Sequence, residues 1–274
     1  MNEKDIAENN LIFKGYAGSI AYGTNHQDSD MDVRGITIFP KEYYYGLLRF
    51  DQYENKEEDI VIYNIKKFFE LAVGCNPNII ELLFLPENCV LYTTDYWKMI
   101  LVNKGLFLSK KVYYTCCGYS FAQLQKLKRP EINITGKRLE LIQKYGYDVK
   151  FAEHCIRLLY EGIELLNDCN LILPGFYNKQ LLDIRRGVFK LEEVFKEAER
   201  LQKLIDEAYI KTKLPYTWDR DEVSDLLVKV IEEYWYNNWE TFPIEKVSIV
   251  EEKGRILDNK DPKILEKIKM EEVD

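Results

Sequence analysis

Residues 18–32 read GSIAYGTNHQDSDMD, and this stretch decides the reading of the chain. Gly18 and Ser19 open a turn, about ten residues follow, and Asp30 and Asp32 then stand one residue apart at the start of Met31 to Phe39, a β-branched and aromatic run expected to be a strand. Side chains alternate along a strand, so that spacing aims both carboxylates into one small volume. They repel there unless a cation lies between them. Oxygen-only ligands suit Mg²⁺ or Mn²⁺, and Mg²⁺ is commonly held by one or two carboxylates plus substrate phosphates. The Gly-Ser turn offers backbone N–H groups and a hydroxyl to those phosphates. An isolated Asp-x-Asp or Gly-Ser is ordinary turn chemistry; their conjunction in this order is what matters.

The pattern resembles the nucleotidyltransferase superfamily that includes DNA polymerase beta, whose signature is Gly-Ser, a spacer of similar length and Asp-x-Asp. The fuller strings GSIAYGT, SDMDVRGI, GCNPNIIELLF, CCGYSFAQLQKLK, FAEHCIRLLYEG and LLDIRRG are similar to the RlaP-type group of that superfamily, over roughly residues 10–240. The resemblance implies an α+β fold with a mixed sheet and helices, followed by a helical C-terminal part. It also implies a metal-dependent nucleotidyltransferase in an RNA-repair setting, without fixing the substrate. It calls for a third carboxylate on a neighbouring strand, a metal ligand and base toward the attacking hydroxyl. The next strand-like run, EEDIVIYNI, supplies Asp59, with Glu57 of the same parity as its competitor. The expected metal set is therefore Asp30, Asp32 and Asp59, with Gly18 and Ser19 on the triphosphate. Arg34 shares the parity of the two aspartates and is expected to pair with them or with phosphate.

Farther on, Lys150, His154, Arg157 and Glu161 recur at helical spacing on one stripe, opposite Ala152, Ile156, Leu159 and Ile163. Either this is a solvated face carrying a weak Arg157–Glu161 pair, or Lys150, His154 and Arg157 face the cleft and contact the nucleotide. The resemblance favours the second, because the family string carries a matching His and Arg.

Composition narrows the field. The chain has 274 residues, enough for one large domain or two modest ones, and no apolar run of membrane-spanning length. The start, MNEKDIAENN, is not basic-then-apolar, so cytoplasm is the expected location. Six cysteines show no C-x-x-C spacing and there are only two histidines, which disfavours a zinc site and histidine-based hydrolases. Buried reduced thiols are expected. The net charge of −8 is unevenly spread: Lys104 to Arg157 holds eleven Lys or Arg against four Asp or Glu. That segment can attract a polyanion locally, or can be solvated helix faces whose charges never converge.

Strand and helix signals alternate up to about residue 104, after which strand signals thin out. Helices are expected over Asn64 to Val73, Ser109 to Leu127, Gly136 to Lys144, Val149 to Asn167, Leu191 to Ile210 and Asp221 to Trp239. The expected division is a catalytic part over 1–104, a helical part over 105–242 that completes the cleft, and a charged tail over 243–274. The expected reaction is transfer of a nucleoside monophosphate from a triphosphate to a hydroxyl, with an RNA 3′ end, that of tRNA included, as preferred acceptor. A protein or small-molecule hydroxyl, or a non-catalytic nucleotide-binding or toxin–antitoxin module, are the alternatives. The nucleotide used, template dependence and oligomeric state are not written in these motifs.

Overall fold

The computed structural model describes residues 2–26, 29–128 and 136–238, together with the strand residues 249–250 and 256–257. The chain forms two compact units, Met1–Tyr234 and Trp235–Asp274. In the first, the order is α1 (Glu3–Asn9), β1 (Leu11–Tyr16), α2 (Gly18–Ala21), β2 (Val33–Thr37), α3 (Glu42–Tyr45), β3 (Gln52–Asn55), β4 (Ile60–Asn64), α4 (Ile65–Val73), α5 (Pro77–Ile80), β5 (Val90–Thr93) and α6 (Asp95–Val102). The five strands form one mixed sheet in the order β3-β4-β2-β1-β5. Within it β2 and β4 run parallel and every other pair is antiparallel.

Apolar residues at alternating depth along β1, β2 and β4 explain the sheet, whose core includes Phe13, Ile36 and Ile62. Phe13 stacks on Trp97 of α6, and Phe68 of α4 meets the same indole edge-on. Asn64 ends β4 and starts α4 at once, because its Oδ1 accepts from Lys66 N at 3.0 Å. Residues Pro77 to Phe84 are helical, comprising α5 and a 3₁₀ turn at Glu81–Phe84, with Pro77 preset at the first position.

The helical half comprises α7 (Lys111–Lys128), α8 (Lys137–Tyr145), α9 (Val149–Asp168), α10 (Asn178–Arg185), α11 (Leu191–Lys211) and α12 (Arg220–Asn237). Its central element is α9, which packs against α7, α8, α10 and α11. Asp148 caps it by accepting from Lys150 N and Phe151 N. Gly162 sets the closeness of the bundle: a Cβ there would stand 2.5 Å from Ile205 Cδ1 and 2.9 Å from Cys116 Cβ. The six helical expectations each meet a helix within a few residues, although Trp239 lies outside the described residues. The elements β3, α6 and α10 carried no such expectation. Four cysteines are buried and unbridged, Cys117 is half-buried, and Cys169, contrary to expectation, is exposed. No described helix is long and apolar enough to cross a membrane. In the second unit, β6 (Ile249–Val250) pairs antiparallel with β7 (Ile256–Leu257); the remaining charged-tail positions lie outside the described residues.

Candidate functional site

The parallel register of β2 and β4 pairs Val33 with Ile60, so the residues just before them, Asp32 and Asp59, are neighbours. Backbone bonds fix that position: Val33 N donates to Asp59 O at 3.0 Å and Ala17 N donates to Asp32 O at 2.9 Å. Asp30 and Asp32 thus stand ahead of the strand rather than in it, which corrects the expected Met31 to Phe39. The bond to Ala17 draws Asp32 toward the Gly-Ser turn before strand pairing begins. Asp59 also precedes its strand, with φ +50, a left-handed conformation that aspartate tolerates better than most residues.

Gly18 is required twice. Its φ is +60, and a Cβ there would fall 1.9 Å from Asp32 Oδ2, so the carboxylate occupies the space a side chain would take. No side-chain hydrogen bond caps the first turn of α2, which begins at Gly18 and Ser19. Arg34 answers the carboxylates, with Nη2 at 3.4 Å from Asp32 Oδ1 and Nη1 at 3.3 Å from Asp59 Oδ1. Even so, burial, a hydrogen bond with Asp59 and the charge of Asp59 push the Asp32 carboxyl up to about 6. Glu57 and Glu58 are exposed and outside this cluster.

These residues form one wall of a cavity of about 780 Å³. Asp30 is exposed at its rim. The same cavity is lined by Lys126, Arg138, Lys150 and His154, the first two also over the Phe151 ring, so part of the basic segment does converge. Other members do not: Lys104, Lys110 and Lys144 lie over aromatic rings outside the cavity, Lys128 lies over Phe195, and Arg129 is outside the described residues. The donor chemistry of Asp32, Asp59 and Asp30 fits a hard divalent cation, which would offset both the burial that lifts Asp32 first and the neighbouring charge of Asp59 that adds to it. Among the described residues no three His, Cys, Asp or Glu side chains form a ready-made metal cage.

The expected helical stripe is not a solvated face. Arg157 is 3% exposed, with Nη1 bonded to Glu81 and, at 2.7 Å, to Glu161. Its guanidinium lies 3.7 Å from the centre of the Tyr22 ring, and the Tyr22 hydroxyl donates to the second oxygen of Glu81. Burial opposes the Arg157 charge, but Glu161 and Glu81 overcome it and hold the group protonated. Arg157 thus lines the cavity floor with its charge committed inward, while Lys150 is half-buried in the cavity wall. Sequence reasoning assigned no role to Glu81, Tyr22, Glu153 or Arg185. The signal for Glu81 was a single acid inside the apolar run IIELLF, since a charge is buried only with partners.

Burial, and then the charges of Arg157 and Lys126, push His154 down to about 3, so its imidazole is neutral at pH 7. The unfolded chain takes up a proton near the ordinary 6.5 while the folded one resists it, so this group withdraws stability as pH falls from 6.5 toward 3. His154→Gln is expected to flatten the acid limb of a plot of melting temperature against pH and to leave the limb above pH 7 unchanged. An unaltered acid limb contradicts a buried neutral imidazole.

A family model described as RlaP, RNA repair pathway DNA polymerase beta family, matches residues 2–228. An uncharacterized 38.9 kDa protein in the nrdC-mobD intergenic region of Enterobacteria phage T4 is 26% identical over 145 residues. The match takes in 48% of this chain and 41% of the phage protein, so this chain covers less than half the length of that relative.

Proposed function

The chain belongs to the RNA repair pathway DNA polymerase beta family, and from that premise we propose that it transfers a nucleoside monophosphate from a nucleoside triphosphate to a hydroxyl acceptor and releases pyrophosphate. Its fold is the α+β, polymerase beta-like one with a helical C-terminal region. The observation that carries the reading is the placement of Asp32 beside Asp59 and against the Gly18 turn, in a cavity also lined by Lys126, Arg138 and Lys150.

In this reading Asp30, Asp32 and Asp59 hold Mg²⁺ or Mn²⁺. When bound, such an ion neutralises charge on the reacting phosphate and the departing pyrophosphate. The uncapped first turn of α2 and the Ser19 hydroxyl grip phosphate oxygens, while Lys126, Arg138 and Lys150 offset the remaining charge. Asp59 accepts the proton of the attacking hydroxyl as its oxygen bonds to the α-phosphorus and the bond to pyrophosphate breaks. Arg34 holds Asp32 and Asp59 in register. His154, being neutral, serves as a hydrogen-bonding partner rather than a phosphate anchor, and Arg157 positions the floor through Glu81 and Tyr22.

RNA is the acceptor favoured by the family's repair setting and by the convergent part of the basic segment. The test is incubation with each α-labelled nucleoside triphosphate, Mg²⁺ and RNA, followed by separation of RNA, protein and small-molecule products. Label in RNA that depends on Asp32 is the expected result. Label in the protein or in a small molecule moves the acceptor, and triphosphate bound without turnover overturns catalysis.

A further inference from the structure

Apart from the strand-end carboxylates, the cavity is lined by Glu81, Glu140 and Glu153. Glu153, on α9 one turn before Arg157, is 5% exposed and lines the cavity. Its Oε1 is buried with no hydrogen-bond partner, and Oε2 has only Arg185 of α10, at 3.8 Å, beyond hydrogen-bonding reach. A buried carboxylate left this way carries a desolvation cost that native interiors seldom accept without a compensating partner. Burial pushes its carboxyl up while Arg157 and Arg185 pull it back. Incoming N–H donors would complete the hold on the ionised form.

Phosphate cannot be that partner, since it would bring like charge against Glu153 without the cation that screens the strand-end aspartates. A group drawn to Glu153 must donate hydrogen bonds, and a carboxylate with one orphaned oxygen and one held only by a long ion pair has room to accept two parallel donors. Among the common bases, guanine alone presents two adjacent N–H donors, N1–H and the 2-amino group, with the O6 acceptor beside them. Adenine and cytosine offer one amino group next to a ring acceptor, and uracil offers one N–H between two carbonyls. The Arg185 guanidinium beside Glu153 supplies a donor toward O6. Building on the nucleotide reading above, we propose that Glu153 and Arg185 form the base-reading end of the cavity and select a guanine nucleoside triphosphate.

The test is calorimetric titration of the whole chain with GTP, ITP, ATP, CTP and UTP in Mg²⁺, without acceptor. ITP is GTP lacking only the 2-amino group, so the GTP-to-ITP ratio isolates the contact to Glu153 without altering the protein. GTP is expected to bind about tenfold or more tightly than ITP, the size of one charge-assisted hydrogen bond. In Glu153→Gln that ratio should collapse while ATP affinity changes less than about twofold. Equal binding of GTP and ITP, an ATP, CTP or UTP affinity matching that of GTP, or a ratio preserved in Glu153→Gln overturns the assignment and leaves the nucleotide reading standing. If no triphosphate binds, the nucleotide reading itself falls and this inference with it. If Glu153→Gln does not fold, as checked by circular dichroism, the wild-type GTP-to-ITP ratio decides.

Discussion

Asp32→Asn is expected to lower nucleotidyl transfer more than about 100-fold and, in metal-free protein, to raise the melting temperature above pH 6. The first effect follows from the proposed role of Asp32 as a metal ligand, since loss of even an outer partner of a metal ligand costs about 10–100-fold. The second follows from linkage. The folded carboxyl is pushed up to about 6 from an ordinary 3.8, so between those values the folded protein holds a proton that the unfolded chain has released. Stability therefore falls as pH rises from about 4 to about 6 and stays lower above it. Asparagine does not titrate, so the variant matches wild type below pH 4 and gains on it across the window. Excess Mg²⁺ should reverse the order, because it stabilises the wild type by mass action and the variant much less. Thermal melts at several pH values, with and without Mg²⁺, separate these effects; a variant less stable than wild type at pH 7 without metal would contradict the electrostatic account.

Arg157→Ala is expected to destabilise the fold by about 3–5 kcal/mol, because it strands buried Glu81 and Glu161 without their shared cation. For a chain of this size the melting temperature should drop on the order of 10 °C. The triple change Arg157→Met, Glu81→Gln and Glu161→Gln should recover most of that loss, since it removes both charges along with their partner. Urea unfolding of the three proteins gives the comparison. If Arg157→Ala unfolds like wild type and only triphosphate affinity drops, the guanidinium is a ligand contact and the buried cluster has been misjudged. The expected outcome makes Lys150→Ala the better probe of phosphate contact on α9, because the Lys150 charge lines the cavity and is not committed to a buried carboxylate.

The sequence by itself determined the motif and, through the family it resembles, the α+β fold class, and it nominated Asp59 as the third carboxylate. Gly18, Ser19, Asp30 and Asp32 lie within fifteen residues, and local spacing survives folding because few torsions separate them. Asp59 was nominated as an acid of a strand-like run, whereas the structure puts it just ahead of β4 in a left-handed conformation that alternation does not describe; the long helices were legible through their apolar period. Three things waited for the tertiary structure. The contact of Asp32 with Gly18 depends on the backbone bond from Ala17, and its adjacency to Asp59 on the parallel register of β2 with β4. The inward commitment of Arg157 depends on Glu81, 76 positions earlier, whose proximity no helical period encodes. The loose pairing of Glu153 with Arg185 depends on how α10 packs against α9. Periodicity tells which residues share a face of one element. Only packing between elements decides what that face meets, and here it put the stripe along a cavity, as the resemblance favoured, but turned Arg157 inward onto Glu81 and Glu161.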